Sequence, residues 1–317
     1  MDIQRLSSTL CSDTLRLNVG CTLRLAGVFG HSARAILSAL HEHDVSVEIL
    51  NVYGMEEGEL DMFDMGTMSL KFFASLKSLR LEGHFEGHPM IPMIPPDTKL
   101  QLTKLTVEAN YLPSLALFDS ILPAAPFLTS LELEVRNDGE LLPAEYMSPF
   151  RSIAHQLSRL AVSVGIRFRC PSGQASLNVT RFVASCTSLK SLAVNNCGTA
   201  YFKDVVTASV APLSVLETEL ASGWNIRGSG VAELASVLEL PAMAKLKRWR
   251  MYKCDFNGVL LDQEARARWN AACRARGVEP RDETLLFTGK TTLSSSYSIK
   301  RRKVIVLCLL SMDEEMS

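Results

Sequence analysis

His41-Glu42-His43-Asp44 places four potential metal ligands side by side, and their spacing decides whether they could act together. Successive residues on a helix point about 100° apart, so at a helix end they fan out, and a solvated helix terminus is expected. His84-Phe85-Glu86-Gly87-His88 contains H-x-E, which zinc deaminases combine with P-C-x-x-C. Here Cys170-Pro171 has the reverse order and no C-x-x-C exists, so this stretch is expected to be a loop. Gly228-Ser229-Gly230 sets a capping serine between two glycines, which suits a helix start. Neither a G-x-S-x-G nucleophile elbow nor a G-x-x-x-x-G-K-S/T phosphate cradle occurs. A reactive cysteine needs a histidine or a helix N-terminus beside it. The eight cysteines, at 11, 21, 170, 186, 197, 254, 273 and 308, are scattered without pairs, and buried, reduced thiols are expected. These residues assign no catalytic, cofactor or metal site, so the chain reads as a non-enzyme.

With 47% apolar and 21% charged residues over 317 positions, the chain can bury a sizeable core. Its 33 basic and 34 acidic side chains nearly cancel, which argues against the broad basic face that nucleic-acid binding uses. The N-terminus lacks the basic start and apolar stretch of a secretory signal, and the longest clean apolar run, Val304 to Leu310, is too short to span a bilayer. A cytoplasmic or nuclear protein, with no membrane and no nucleic-acid partner, is expected.

The elements that must carry any function emerge from a repeat. Leu189 to Cys197 reads LKSLAVNNC, an instance of L-x-x-L-x-L-x-x-N/C. Copies of the string start at Leu76, Leu102, Leu128, Leu157, Leu189, Leu213 and Leu246, at intervals of 26, 26, 29, 32, 24 and 33 residues. An upstream copy places Val47, Leu50 and Val52, and a fainter one lies near Thr14 with Leu17 and Val19. The last two copies are weaker: Thr218 takes the third apolar place after Leu216, and Trp249 and Met251 replace aliphatic residues after Leu246. Helical periodicity fills the intervals, at 32–40, 114–122, 144–156, 179–184, 201–210 and 230–238. Strand, turn and helix therefore alternate in units that cannot bury their apolar sides alone and must stack. A doubly wound α/β domain also alternates these elements, but it would show continuous apolar strands and a glycine-rich phosphate loop.

Over roughly residues 45–256 this pattern resembles the leucine-rich-repeat family, and more narrowly the cysteine-containing repeats of fungal F-box/leucine-rich-repeat proteins. Only Asn110, Cys197 and Cys254 of the seven ninth positions carry Asn or Cys; His84, Arg136, Gly165 and Ala221 stand at the others. The resemblance implies an α/β fold: a leucine-rich-repeat solenoid, or horseshoe, with a parallel concave β-sheet and helices on the convex side. Residues 1–44 are then an N-terminal cap or degenerate repeat, 45–256 the repeats, 257–287 a capping helix and strand, and 288–317 a Ser/Thr-rich, basic and disordered tail. The cap helix is expected at 261–276 with Gly277 as its C-cap and an edge strand within 278–286. For the terminal VIVLCLLSMDEEMS, Val304 to Ser317, an added strand, a partner-binding peptide and a gene-model artefact are all open.

The resemblance further implies a protein-protein interaction scaffold and, more narrowly, the substrate-recognition part of an F-box-type ubiquitin ligase. The alternative is a repeat protein of signalling or structural assembly, and the least favoured is an α/β enzyme. No F-box stands out in residues 1–45, so an adaptor of that ligase is a partner only if a longer form carries one. Alternation along each strand turns the residues between the leucines to the open side of the sheet. Those expected to meet a protein partner are Arg80, Glu82, Glu108, Glu132, Glu134, Asn195, Glu217, Glu219, Arg248, Arg250 and Tyr252. Glu108, Glu132 and Glu134 form an acidic patch in this reading, and the last copy is basic and aromatic, with Arg250 and Tyr252 as anchors.

Overall fold

In L-x-x-L-x-L the second and third apolar residues fall two apart, on one side of an extended chain, and a strand forms over each described copy. A computed structural model of the chain describes residues 21–26, 47–53, 70–83, 94–109, 115–135, 147–164, 177–220, 234–253, 263–282 and 304–308. The chain divides into two compact units, residues 1–128 with 297–317 and residues 129–296. That division falls inside the segment 45–256 assigned to repeats. Both units are α/β with parallel strand pairing.

In the first unit the strands are β1 (Cys21–Ala26), β2 (Val47–Tyr53), β3 (Ser78–Gly83), β4 (Lys104–Ala109) and β11 (Val304–Cys308). They lie in the order β11-β1-β2-β3-β4. Leu23, Leu50, Leu79 and Leu105 stand in one register, and Leu25, Val52, Leu81 and Val107 in the next. Leu50, Leu79, Leu81, Leu105 and Val107 are fully buried. Helix α1 (Leu70–Ser75) precedes β3, and α2 (Leu115–Ile121) buries Leu117, Phe118 and Ile121.

The second unit runs β5 (Ser130–Val135), β6 (Arg159–Val164), β7 (Ser191–Cys197), β8 (Val215–Leu220), β9 (Arg248–Lys253) and β10 (Glu279–Asp282), in that spatial order. Leu131, Leu160, Leu192, Leu216 and Trp249 align in one row, and Leu133, Val162, Val194, Thr218 and Met251 in the next. All ten side chains are buried. Helices α3 (Ser148–Arg151), α4 (Leu177–Ser185), α5 (Thr199–Thr207) and α6 (Gln263–Ala275) connect the strands, with 3-10 turns at Ala154–Gln156, Ser236–Glu239 and Pro241–Met243. Phe202 of α5 stacks on Trp249 at 6.0 Å, and Trp269 of α6 meets Trp249 edge-on at 5.8 Å. The helices α5 and α6 thus cover the leucine side of the sheet, leaving alternate residues on the other side.

A second row of bonds ties successive copies together just before each strand. The carbonyl at the second motif position accepts two N–H groups from the following copy: Lys77 from Thr103 and Lys104, Thr129 from Ser158 and Arg159, Ser158 from Lys190 and Ser191, Lys190 from Ser214 and Val215. Hydroxyls at that position add a third donor, with Thr103 Oγ1 on the Lys77 carbonyl at 2.9 Å and Ser214 Oγ on the Lys190 carbonyl at 3.0 Å. At these copies the turn entering the strand thus pairs its backbone N–H groups with the preceding copy.

Several local expectations change. The stretch 144–156 is not one helix: Ser148–Arg151 is α-helical and Ala154–Gln156 is 3-10. The earliest described rung is Cys21–Ala26, with Leu23 and Leu25 at the positions expected for Leu17 and Val19, which lie outside the described residues. Inside the tail expected to be disordered, Val304–Cys308 forms β11 on β1, the added strand held open above; its β-branched, apolar composition suits strand geometry. In the segment expected as a cap, α6 stops at Ala275, Gly277 follows two residues later with a φ of 69°, and β10 pairs with β9. Gly277 N–H donates to the Arg274 carbonyl and Val278 N–H to the Cys273 carbonyl, a Schellman closure that needs a left-handed residue. Among the described residues, no helix is long and apolar enough to cross a membrane.

Candidate functional site

The open side of the sheet in the second unit is built from three columns of residues, each set by strand alternation and register. The first holds Ser130, Arg159, Ser191, Val215, Arg248 and Glu279; the second holds Glu132, Ala161, Ala193, Glu217, Arg250 and Arg281. In the third, Glu134 faces Ser163, Ser163 faces Asn195, and Glu219 faces Tyr252.

Glu217 is the centre of this face. Sequence alternation puts it on the open side, and so it is, but it is only 6% exposed rather than solvated. Its two carboxylate oxygens meet different guanidiniums: Arg250 Nη1 donates to Oε1 at 3.3 Å, and Arg159 Nη2 donates to Oε2 at 3.4 Å. Arg159 stands on β6, two strands from Glu217, and the intervening β7 presents Ser191 and Ala193. Those small residues leave room for the long arginine to cross. Ala161, Ala193 and Ser163 are themselves buried, because small side chains in a sheet with strands about 4.8 Å apart are covered by longer neighbours. The expectation that every residue between the leucines meets solvent is corrected for these and for Glu217.

Arg248 and Arg250, expected as the basic end, are both half-buried and already engaged. Arg248 Nε donates to Glu279 Oε2 at 2.8 Å, and Arg281 Nε donates to Glu279 Oε1 at 3.0 Å. The hydrogen bond from Arg248 and then that from Arg281 hold the exposed Glu279 carboxyl below the usual carboxylate range. Arg159, Glu279 and Arg281 were not among the residues expected from the third motif place. Period-two alternation carried one step further back would have found Arg159, which lies two residues before Ala161 on the same side.

Asn195 sits where β7 bulges. Register runs from Val194 opposite Thr218 directly to Cys197 opposite Leu220, so the β7 strand holds an extra residue there. Its Oδ1 is buried and meets no hydrogen-bond donor among the described residues. Glu132 is half-buried, while the side chains of Glu134, Glu219 and Tyr252 lie outside the described residues.

In the first unit the open side places Arg80 between Asn51 and Thr106, and Glu82 between Tyr53 and Glu108. Arg80 is half-buried and Thr106 is buried; the side chains of Glu82 and Glu108 lie outside the described residues. Glu108 belongs to the first unit and Glu132 and Glu134 to the second, so the acidic patch expected from all three is described only as its two parts.

No group of three or more potential metal ligands occurs among the described residues. His41 to Asp44, His84 to His88, Gly228 to Gly230 and Cys254 lie outside them. Cys186 and Cys273 are buried free thiols, and burial pushes both up to about 12, far from the thiolate form a nucleophile needs. Cys186 Sγ donates to the Phe182 carbonyl at 3.3 Å, which fixes it as a helix-end filler. No protein-family model matches the chain, and neither does any curated protein.

Proposed function

We propose that the chain is a leucine-rich-repeat solenoid whose open sheet face, concave in that architecture, binds a protein partner as an interaction scaffold. The single observation that supports this most is the register: within each unit the motif leucines of successive copies align row on row, and the second-position carbonyls of Lys77, Thr129, Ser158, Lys190 and Ser214 accept from the next copy. Stacked rungs of this kind present a long row of alternate side chains on one side, which is the usual binding surface of repeat arrays. The face here offers arginines, glutamates and an asparagine rather than a convergent acid-base pair, which suits recognition over catalysis.

Affinity capture with the full chain tests the reading. Replacing Glu132 and Glu134 by Lys changes which proteins are retained, whereas Lys203→Glu on α5, away from the sheet, leaves them the same. An unchanged set after the sheet-face swap contradicts the placement. Co-capture of ubiquitin-ligase adaptor subunits supports the substrate-receptor form of the proposal, and a set without them favours signalling or structural assembly.

A further inference from the structure

The strand β10 closes the strand order of the second unit, and β11 closes that of the first. Their compositions are opposite. β10 reads Glu279-Pro280-Arg281-Asp282, three charges and a proline, which is how sheets blunt an edge against further pairing. β11 reads Val304-Ile305-Val306-Leu307-Cys308, with neither charge nor proline. Among the described residues, no strand pairs with the side of β11 that faces away from β1. Alternate backbone N–H and C=O groups of an edge strand point outward, where a further strand can take them up.

The order of residues around β11 specifies which strand. Arg301, Arg302 and Lys303 directly precede it, the apolar character continues through Leu309, Leu310 and Met312, and Asp313, Glu314 and Glu315 follow. These flanks lie outside the described residues, and it is their order in the chain that matters. A basic-apolar-acidic segment is complementary to itself when it is reversed.

We propose that β11 pairs antiparallel with β11 of a second copy of this chain, across a two-fold axis at Cys308. In that register Val304 faces the second copy's Met312, Lys303 faces its Asp313, Arg302 its Glu314 and Arg301 its Glu315. Each carboxylate of the flank meets a cation, and the contact is isologous, so every pair occurs twice. Parallel in-register pairing would instead set the cations against cations and the carboxylates against carboxylates, which destabilises. The nine residues 304–312 between the flanks make a strand of ordinary length. This contact uses the sheet edge rather than its open face, so it goes beyond the partner-binding reading and stands or falls separately from it.

Sedimentation equilibrium of the full chain tests the proposal, and a dimer is expected at about 100 µM or below. Replacing Asp313, Glu314 and Glu315 together by Lys should weaken dimerisation about tenfold or more. Adding Arg301→Glu, Arg302→Glu and Lys303→Glu to that variant exchanges the signs of the two flanks and should restore the dimer. A short bis-maleimide should join the wild-type dimer through Cys308 of both copies, located by peptide mass spectrometry, because directly opposite Cα atoms of antiparallel strands lie about 4.5–5.5 Å apart. Melting curves accompany each variant, and Asp313→Asn, Glu314→Gln and Glu315→Gln replace the lysines if the first variant unfolds. A chain that stays monomeric, a dimer indifferent to the charge reversal, or a dimer that links through other cysteines and not through Cys308 overturns the proposal.

Discussion

Trp249 Nε1 donates a 3.0 Å hydrogen bond to Thr218 Oγ1, and both side chains are fully buried. Both residues depart from aliphatic character, in consecutive copies of the motif string. A buried indole needs an acceptor for its N–H, and a buried threonine needs a partner for its hydroxyl, so each departure makes the other tolerable. Thr218→Val keeps the shape and removes the acceptor, which should lower stability by about 1–3 kcal/mol. Adding Trp249→Phe to Thr218→Val should then cost less than Trp249→Phe alone. Chemical denaturation of the four proteins in a double-mutant cycle measures the coupling, and strictly additive losses would show that the bond contributes nothing.

Gly277 closes α6 in the left-handed region at φ 69°, and among the described residues no atom beyond its chain neighbours lies within 4 Å of where a Cβ would sit. Gly277→Ala therefore meets no steric contact and pays only for backbone conformation, a loss of about 1–2 kcal/mol by thermal or urea unfolding. A loss well above this would mean that the open space is occupied in solution.

The shared arrangement of Glu279 gives a titration signature. Hydrogen bonds from Arg248 and Arg281 lower its carboxyl from 4.5, so its contribution to stability is complete above that value and is lost as pH falls through the lower folded value. Arg248→Ala should bring the Glu279 midpoint back toward 4.5, as read from its side-chain carboxyl resonance. An unmoved midpoint would remove Arg248 as the main cause.

Cys186 and Cys273 have the opposite sign. Burial raises both thiols from 9.0 to about 12, so the folded state holds their protons more tightly and loses stability as pH rises from about 9 to about 12. In native protein at pH 8 the two should resist iodoacetamide, and each should label once the chain is unfolded. Peptide-resolved mass spectrometry distinguishes them from the other cysteines, and fast native labelling at either would contradict the burial.

Legibility in the sequence followed the range of the interactions. Strand positions came from local alternation, so Leu79, Leu105, Leu160 and Leu192 fell in their rows as expected. Gly277 was readable for the same reason: a C-cap depends on its own backbone. The hydroxyl row at Thr103, Ser158 and Ser214 was present in the motif copies and could have been noticed, since each holds the same place. The exposure of the face was harder. Arg159 and Arg250 reach Glu217 across 58 and 33 residues of sequence, and alternation tells which side a residue takes but not which long side chain arches over a small one. Glu217, expected to meet a partner, is thus the buried centre of a charged cluster. The bulge at Asn195 was equally silent, because register depends on two strands at once.

The central claim is that the side of the sheet opposite the leucines is where a protein partner binds. Placing a photo-activated cross-linking residue at Asn195 on that side, and in a separate protein at Lys203 on α5, measures it directly. The account predicts partner adducts from position 195, competed by unlabelled wild-type chain, and none from position 203. Adducts from 203 alone would place the partner on the helices and contradict it.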